Sequence, residues 1–254
     1  MNSRLDYGAA LTFVRNVESV QAQLDTLMEN LRLCRGDNIG SRDPVHCLLI
    51  RLNRDQECYS FLKWWQHPLK TRSTIGAMQP CHTWISERPI HLSQSSLSRE
   101  IQGLSHIVSL TLVKIKLYFV LLTAHGAQAY EEATEKNRKI MDGMIDIRTS
   151  TIARNPHVAN LTILEAQPAI ENVKAQIRKL YHTGNKANPY FWPEVINPNE
   201  SLNAAPSMCS PGSKQEMEAT MMWTWQARNE SFGALEIVYA AVNDPKDEFI
   251  FLII

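Results

Sequence analysis

Apolar residues recur at helical spacing along the first part of the chain. Val17, Val20, Leu24, Leu27, Met28 and Leu31 return every three or four positions, the stripe of one buried helix face, and predict a helix over about 17–34. Arg35-Gly36-Asp37-Asn38 interrupts it, with the glycine suited to a left-handed stop. Val45, Leu48, Leu49 and Leu52 predict a second helix opening at Asp43-Pro44, where a first-turn proline removes no helical hydrogen bond. A joint at Asn53-Arg54-Asp55 follows, with Asp55 as the expected cap. Cys58, Phe61, Leu62 and Trp65 then mark a third helix. Two helices joined this tightly form an αα-hairpin, and the third packs on them because each has a single apolar stripe.

Downstream, Leu104 to Ala124 is apolar on every side and long enough to raise a membrane span. Lys114 and Lys116 at its centre would be costly in hydrocarbon, so a helix buried in protein, its lysines reaching an edge, is expected. A weaker helical run covers about 127–147. A clear one covers about 168–181, through Ile170, Val173, Ile177 and Leu180. Residues 188–212 read as loop, broken by Pro189, Pro193, Pro198, Pro206 and Pro211. Ser213-Lys214-Gln215-Glu216 reads as a capping box opening a helix through Met217, Met221 and Trp225, and 233–242 as a last helix. The tail 243–254 is apolar and unassigned. The expectation is an all-α chain forming one helical domain over 1–254: irregular antiparallel helix pairs in a tetratricopeptide-like superhelical body. Only one hairpin is clear, so a regular repeat array does not follow.

Residues 66–103 do not fit this pattern. The stretch QHPLKTRSTIGAMQPCHTWISERPIHLSQSSLS has Pro68, Pro80 and Pro89, a serine-rich end, and neither helical nor strand period. An irregular stretch this long between strong helices is unusual in a compact domain.

Charge excludes more than it suggests. Lys+Arg and Asp+Glu balance at 26 each, so no global field favours nucleic acid or an anionic membrane. The one local basic step, Arg138-Lys139, is diluted by Glu131, Glu132 and Glu135. The 5 cysteines, Cys34, Cys47, Cys58, Cys81 and Cys209, include no C-x-x-C pair and no zinc spacing. With no basic start followed by an apolar core, the chain reads as intracellular, cytoplasmic or nuclear, its thiols reduced.

Little chemistry can be placed. His46, His106, His125, His157 and His182 sit in different segments without an i, i+4 partner or an acid at ligand spacing, so no catalytic residue, metal site or cofactor is expected. Asp37 and Asn38 are candidate binding residues on a joint, although both suit turn chemistry. Adjacent helical residues diverge by about 100°. Trp64 and Trp65 therefore cannot both face one core; one should be buried and the other should line a groove. Tyr190 and Trp192 are further candidates, although anchoring their loop on the core is the plainer role.

LRLCRGDNIGSRDPVHCLLIRLNRDQECYSFLKWW, GLSHIVSLTLVKIKL, NPYFWPEVINPNESLNAAP and SPGSKQEME together resemble a family of uncharacterised fungal helical proteins, some labelled MYND-finger-like. The first stretch also looks like a tetratricopeptide-type hairpin. No zinc finger is present, so the resemblance implies no zinc role. In that family the paired tryptophans lead into an acidic-aromatic segment of the type Y-D-W-G-D-x-x-L-P-Y-L-D-I-x-x-x-D-x-F-E, which this chain lacks. Joining the last base of each codon to the first two of the next changes that. Ser73 to Ala77 then permits Y-D-W-G-D, Pro80 to Ser86 permits L-P-Y-L-D-I, and Pro89 to Ser93 permits D-P-F-E. The expectation is that part of 66–103 is translated out of frame, with the frame restored before Gly103; the alternative is a divergent loop. The coding DNA decides it, because a stop codon in the shifted frame excludes it.

The leading functional expectation is a non-enzymatic interaction or scaffold module holding a peptide or partner helix in a groove between helix pairs. The alternatives are an enzyme of fungal metabolism whose acidic-aromatic segment is missing here, and a non-functional gene product. Acids and histidines converging inside a pocket would favour the enzyme; an apolar groove near Trp64 or Trp65 without such a cluster would favour the module.

Overall fold

The computed structural model describes residues 11, 14, 16–65, 103–125 and 153–243, apart from 35, 38, 39, 199, 205, 207 and 232. The irregular segment up to 102, the expected helix at 127–147 and the tail from 244 lie outside the described residues, as does Asn38. Within them the chain is all-α, with no strand. The elements are α1 (Val17–Leu33), α2 (Arg42–Arg51), α3 (Asp55–Trp65), α4 (Leu104–His125), α5 (Pro156–Ala159), α6 (Ile163–Ala187), α7 (Phe191–Ile196), a 3-10 turn at Ser201–Asn203, α8 (Lys214–Asn229) and α9 (Ala234–Asn243).

Local chemistry sets the boundaries. Asn16 opens α1, its side-chain oxygen accepting from the Ser19 N–H at 2.8 Å. The left-handed residues described in the next joint are Asp37, at φ 51°, and Gly40, at φ 71°, rather than the expected glycine at 36. The Asp37 carboxylate accepts from the N–H groups of Ser41 at 2.6 Å and Arg42 at 3.1 Å, satisfying donors at the start of α2. The candidate binding residue Asp37 is thus a turn and capping residue. Asn53, at φ 55°, turns the chain between α2 and α3, and the Arg54 N–H bonds back to the Leu49 carbonyl at 2.9 Å.

α4 is the axis of the molecule. Every side chain from Leu104 to Leu121 is buried, which is why the helix is apolar all round rather than striped. Its first 19 residues are long and apolar enough to cross a membrane by composition, yet all but the last of them, Leu122, are buried inside the protein. The expectation that its lysines reach an edge is wrong: Lys114 and Lys116 are both buried. Lys116 Nζ donates to Asp55 Oδ1 at 2.6 Å, Asn53 Oδ1 at 2.9 Å and the Ile50 carbonyl at 3.3 Å. Asp55 therefore serves as the inner partner of Lys116 at the first residue of α3.

The larger core joins α1, α2, α3, α4 and α6, with α6 lying along α4. A smaller core joins the start of α4 to α7, α8 and α9 through Leu104, Val108, Phe191, Val195, Met217 and Val238. α6 begins earlier than its apolar stripe predicts, because Glu165 accepts from the Thr162 N–H at 2.9 Å and caps it. Pro168 is tolerated inside it. The carbonyl it leaves without a helical donor belongs to Leu164, which is 87% exposed and within reach of water. The 188–212 stretch is not all loop. It forms α7 and the 3-10 turn, and then enters α8 through Ser213, whose Oγ accepts from the Glu216 N–H at 3.1 Å.

Candidate functional site

α2 and α4 lie side by side, and their polar contacts advance together. Asp43 meets Ser105, His46 meets Ser109, and the Ile50 carbonyl meets Lys116, as two helices running in the same sense require. At the first turns of both helices this seam holds a compact polar cluster. Ser105 Oγ donates to Asp43 Oδ1 at 3.0 Å. His46 Nδ1 and Ser109 Oγ share a hydrogen bond of 2.7 Å, and Cys47 Sγ lies 3.4 Å from the same nitrogen. His106 Nδ1 is 4.0 Å from Asp43 Oδ1, and the two imidazoles meet edge to face with centroids 5.0 Å apart.

One ligand-type atom each from Asp43, His46 and His106 lie within 4.8 Å of one another. This corrects the expectation that no histidine has an acid at ligand spacing. Asp43 and His46 stand three residues apart on one helix face, where side chains are neighbours. That pair was present in the sequence as D-x-x-H. His106 could not have been found, because only the packing of α4 on α2 brings it in.

The cluster is electrostatically unusual. Burial holds His46 well below the ordinary histidine range, with the neighbouring His106 and Arg42 acting in the same direction. Burial, with Arg42, lowers His106 to about 4. Burial raises Asp43 against the opposing pull of Arg42 and the Ser105 hydrogen bond. Both imidazoles are therefore neutral at pH 7. Among the described residues His46 Nε2 and His106 Nδ1 are buried without a hydrogen-bond partner. Each such group forfeits about 1–3 kcal/mol. The Cys47 thiol is pushed up to about 12 by burial, which keeps it protonated and a poor nucleophile.

The predicted aromatic candidates fall in two places. Trp65 is buried and Trp64 half-buried, their rings edge to face at 4.9 Å, with the Arg42 guanidinium 5.5 Å from the Trp65 ring centre. This pair lies beside the polar cluster, linked to it by Arg42, which sits 3.8 Å from Asp43. Trp192 is buried far along the chain from them. It donates through Nε1 to the Tyr181 carbonyl at 3.0 Å and stacks on the Tyr181 ring at 5.6 Å. It is a core anchor rather than a ligand platform, held so close to α6 that a Cβ on Gly184 would stand 2.9 Å from Nε1. Tyr190 is exposed just before α7. The structure does not bring Tyr190 and Trp192 together with Trp64 and Trp65 into one site.

A small apolar pocket lies elsewhere, between Val108, Phe191, Val195, Met221, Trp225 and Val238. It has room for about one water molecule. None of Asp43, His46 and His106 lines it. Compared with known proteins, the chain matches no family model, no curated protein and no solved structure.

Proposed function

We propose that this chain acts as a non-enzymatic helical interaction module, which holds a peptide or a partner helix against the face carrying Trp64. One observation carries the reading: the convergent ionisable groups are packed into a helix seam, and none of them lines the apolar pocket at Val108 and Phe191. A substrate needs a cavity beside its acid and base. Here the imidazoles and the thiol face protein. Trp64 is half-buried against Trp65, whose ring carries the Arg42 guanidinium, so an aromatic and a cation of the kinds that binding surfaces favour stand close together.

The second reading is an enzyme of fungal metabolism, favoured by the meeting of Asp43, His46 and His106. Selection of displayed random peptides on the purified full chain separates the two. The module predicts a selected peptide whose binding falls at least tenfold in Trp64→Ala, with helical circular dichroism unchanged. A hydrolytic or lyase activity lost in His106→Gln, with no peptide selected, overturns it.

A further inference from the structure

We propose that Asp43, His46 and His106 form a site for one divalent transition-metal ion of the zinc class, which ties the first turn of α2 to the first turn of α4. The donor set is two imidazoles and a carboxylate, a combination that zinc accepts in open sites, whereas magnesium and calcium call for oxygen donors. Both imidazoles are buried, and each keeps a ring nitrogen without a partner among the described residues. These nitrogens are already withdrawn from water, and each presents a lone pair to an ion in the tautomer that carries the ring proton on the other nitrogen.

The surroundings orient the ligands as metal sites require. Ser109 Oγ occupies His46 Nδ1 at 2.7 Å, which fixes the ring and leaves Nε2 as its ligating atom. Ser105 Oγ holds Asp43 Oδ1 at 3.0 Å. The Asp43 side chain is 38% exposed, so an ion can enter from that side and keep a water as its remaining ligand. Zinc bonds of about 2.0–2.1 Å place tetrahedral ligand atoms about 3.3 Å apart. The present spread of up to 4.8 Å closes with side-chain shifts of about an ångström, within the range of rotamer adjustment.

Arg42 acts against the ion. Its guanidinium lies 3.8 Å from Asp43 and 3.7 Å from Asp37. Zinc must take Asp43 from it, leaving Arg42 to Asp37. That competition gives the proposal a signature of its own, because Arg42→Gln should tighten zinc binding where loss of a ligand weakens it.

The test is titration of the metal-free full chain with zinc by calorimetry and with cobalt by visible absorption. The expected result is one ion per chain and the intense absorption of tetrahedral cobalt, with no response to magnesium. Asp43→Asn and His106→Gln should each weaken binding at least tenfold, and His182→Gln should not. Should a ligand variant fail to fold, imidazole nitrogen resonances of the unaltered chain replace it, and zinc should shift two histidine rings. No cobalt absorption, unmoved imidazole signals, or binding indifferent to both ligand variants overturns the site.

Discussion

Lys116 Nζ and Asp55 Oδ1 lie 2.6 Å apart with both side chains withdrawn from solvent, joining the middle of α4 to the start of α3. Burial raises the Asp55 carboxyl, and the Lys116 charge and hydrogen bond act to keep it ionised. Removing one partner leaves a buried charge without its counterion. Lys116→Met or Asp55→Asn should therefore destabilise the protein by about 3–5 kcal/mol in urea unfolding. The double replacement by apolar residues should recover most of that loss. Two single losses that simply add would show that the pair does not interact.

Lys114 gives a pH dependence of known sign. It is fully buried 5.3 Å from the Tyr59 ring centre. Burial, with the charge of Lys63, lowers its pKa from 10.5 to about 7. The folded chain therefore releases this proton near pH 7 while the unfolded chain keeps it to about 10.5, so stability rises as pH increases across that window. The slope should approach about 1.4 kcal/mol per pH unit. Lys114→Met should remove this slope and be the more stable protein at pH 7. Urea midpoints at pH 7, 8 and 9 check both.

Gly233 and Gly40 separate strain from crowding. Both have left-handed backbones, at φ 67° and 71°. A Cβ on Gly233 would stand 2.1 Å from Phe119 Cζ, whereas one on Gly40 meets nothing within 4 Å among the described residues. Gly40→Ala should lose only the backbone penalty of about 1–2 kcal/mol. Gly233→Ala should lose a further 1–3 kcal/mol or so from overpacking against α4. Equal thermal shifts for the two variants would contradict the close packing of α9 on Phe119.

The helices could be read from the chain wherever one stripe of apolar residues met one core. Leu24, Leu27 and Leu31 in α1, and Ile170, Val173 and Ile177 in α6, are of this kind, and all are buried. Capping chemistry set limits that periodicity does not carry. Glu165 starts α6 ahead of its stripe, and Asp37 with Gly40, rather than the expected glycine at 36, turns the chain into α2. α7 was hidden by its prolines, although Pro193 falls in a first turn where it costs nothing. The candidate cluster was half visible. Asp43 and His46 stand at neighbouring helical positions, while His106 reaches them only through tertiary packing. Lys116 misled for the same reason, since its partners Asn53 and Asp55 are supplied by another part of the fold.

The seam between α2 and α4 underlies both the proposed interaction face and the proposed metal site, and the bond between His46 Nδ1 and Ser109 Oγ, 2.7 Å long and fully buried, is its most direct marker. A double-mutant cycle of His46→Gln and Ser109→Ala, read by urea unfolding of the metal-free chain, measures their coupling. Contact in one buried network predicts an interaction energy of about 1 kcal/mol or more. Single losses that add to within about 0.3 kcal/mol would mean that these residues do not touch, and the cluster would not exist.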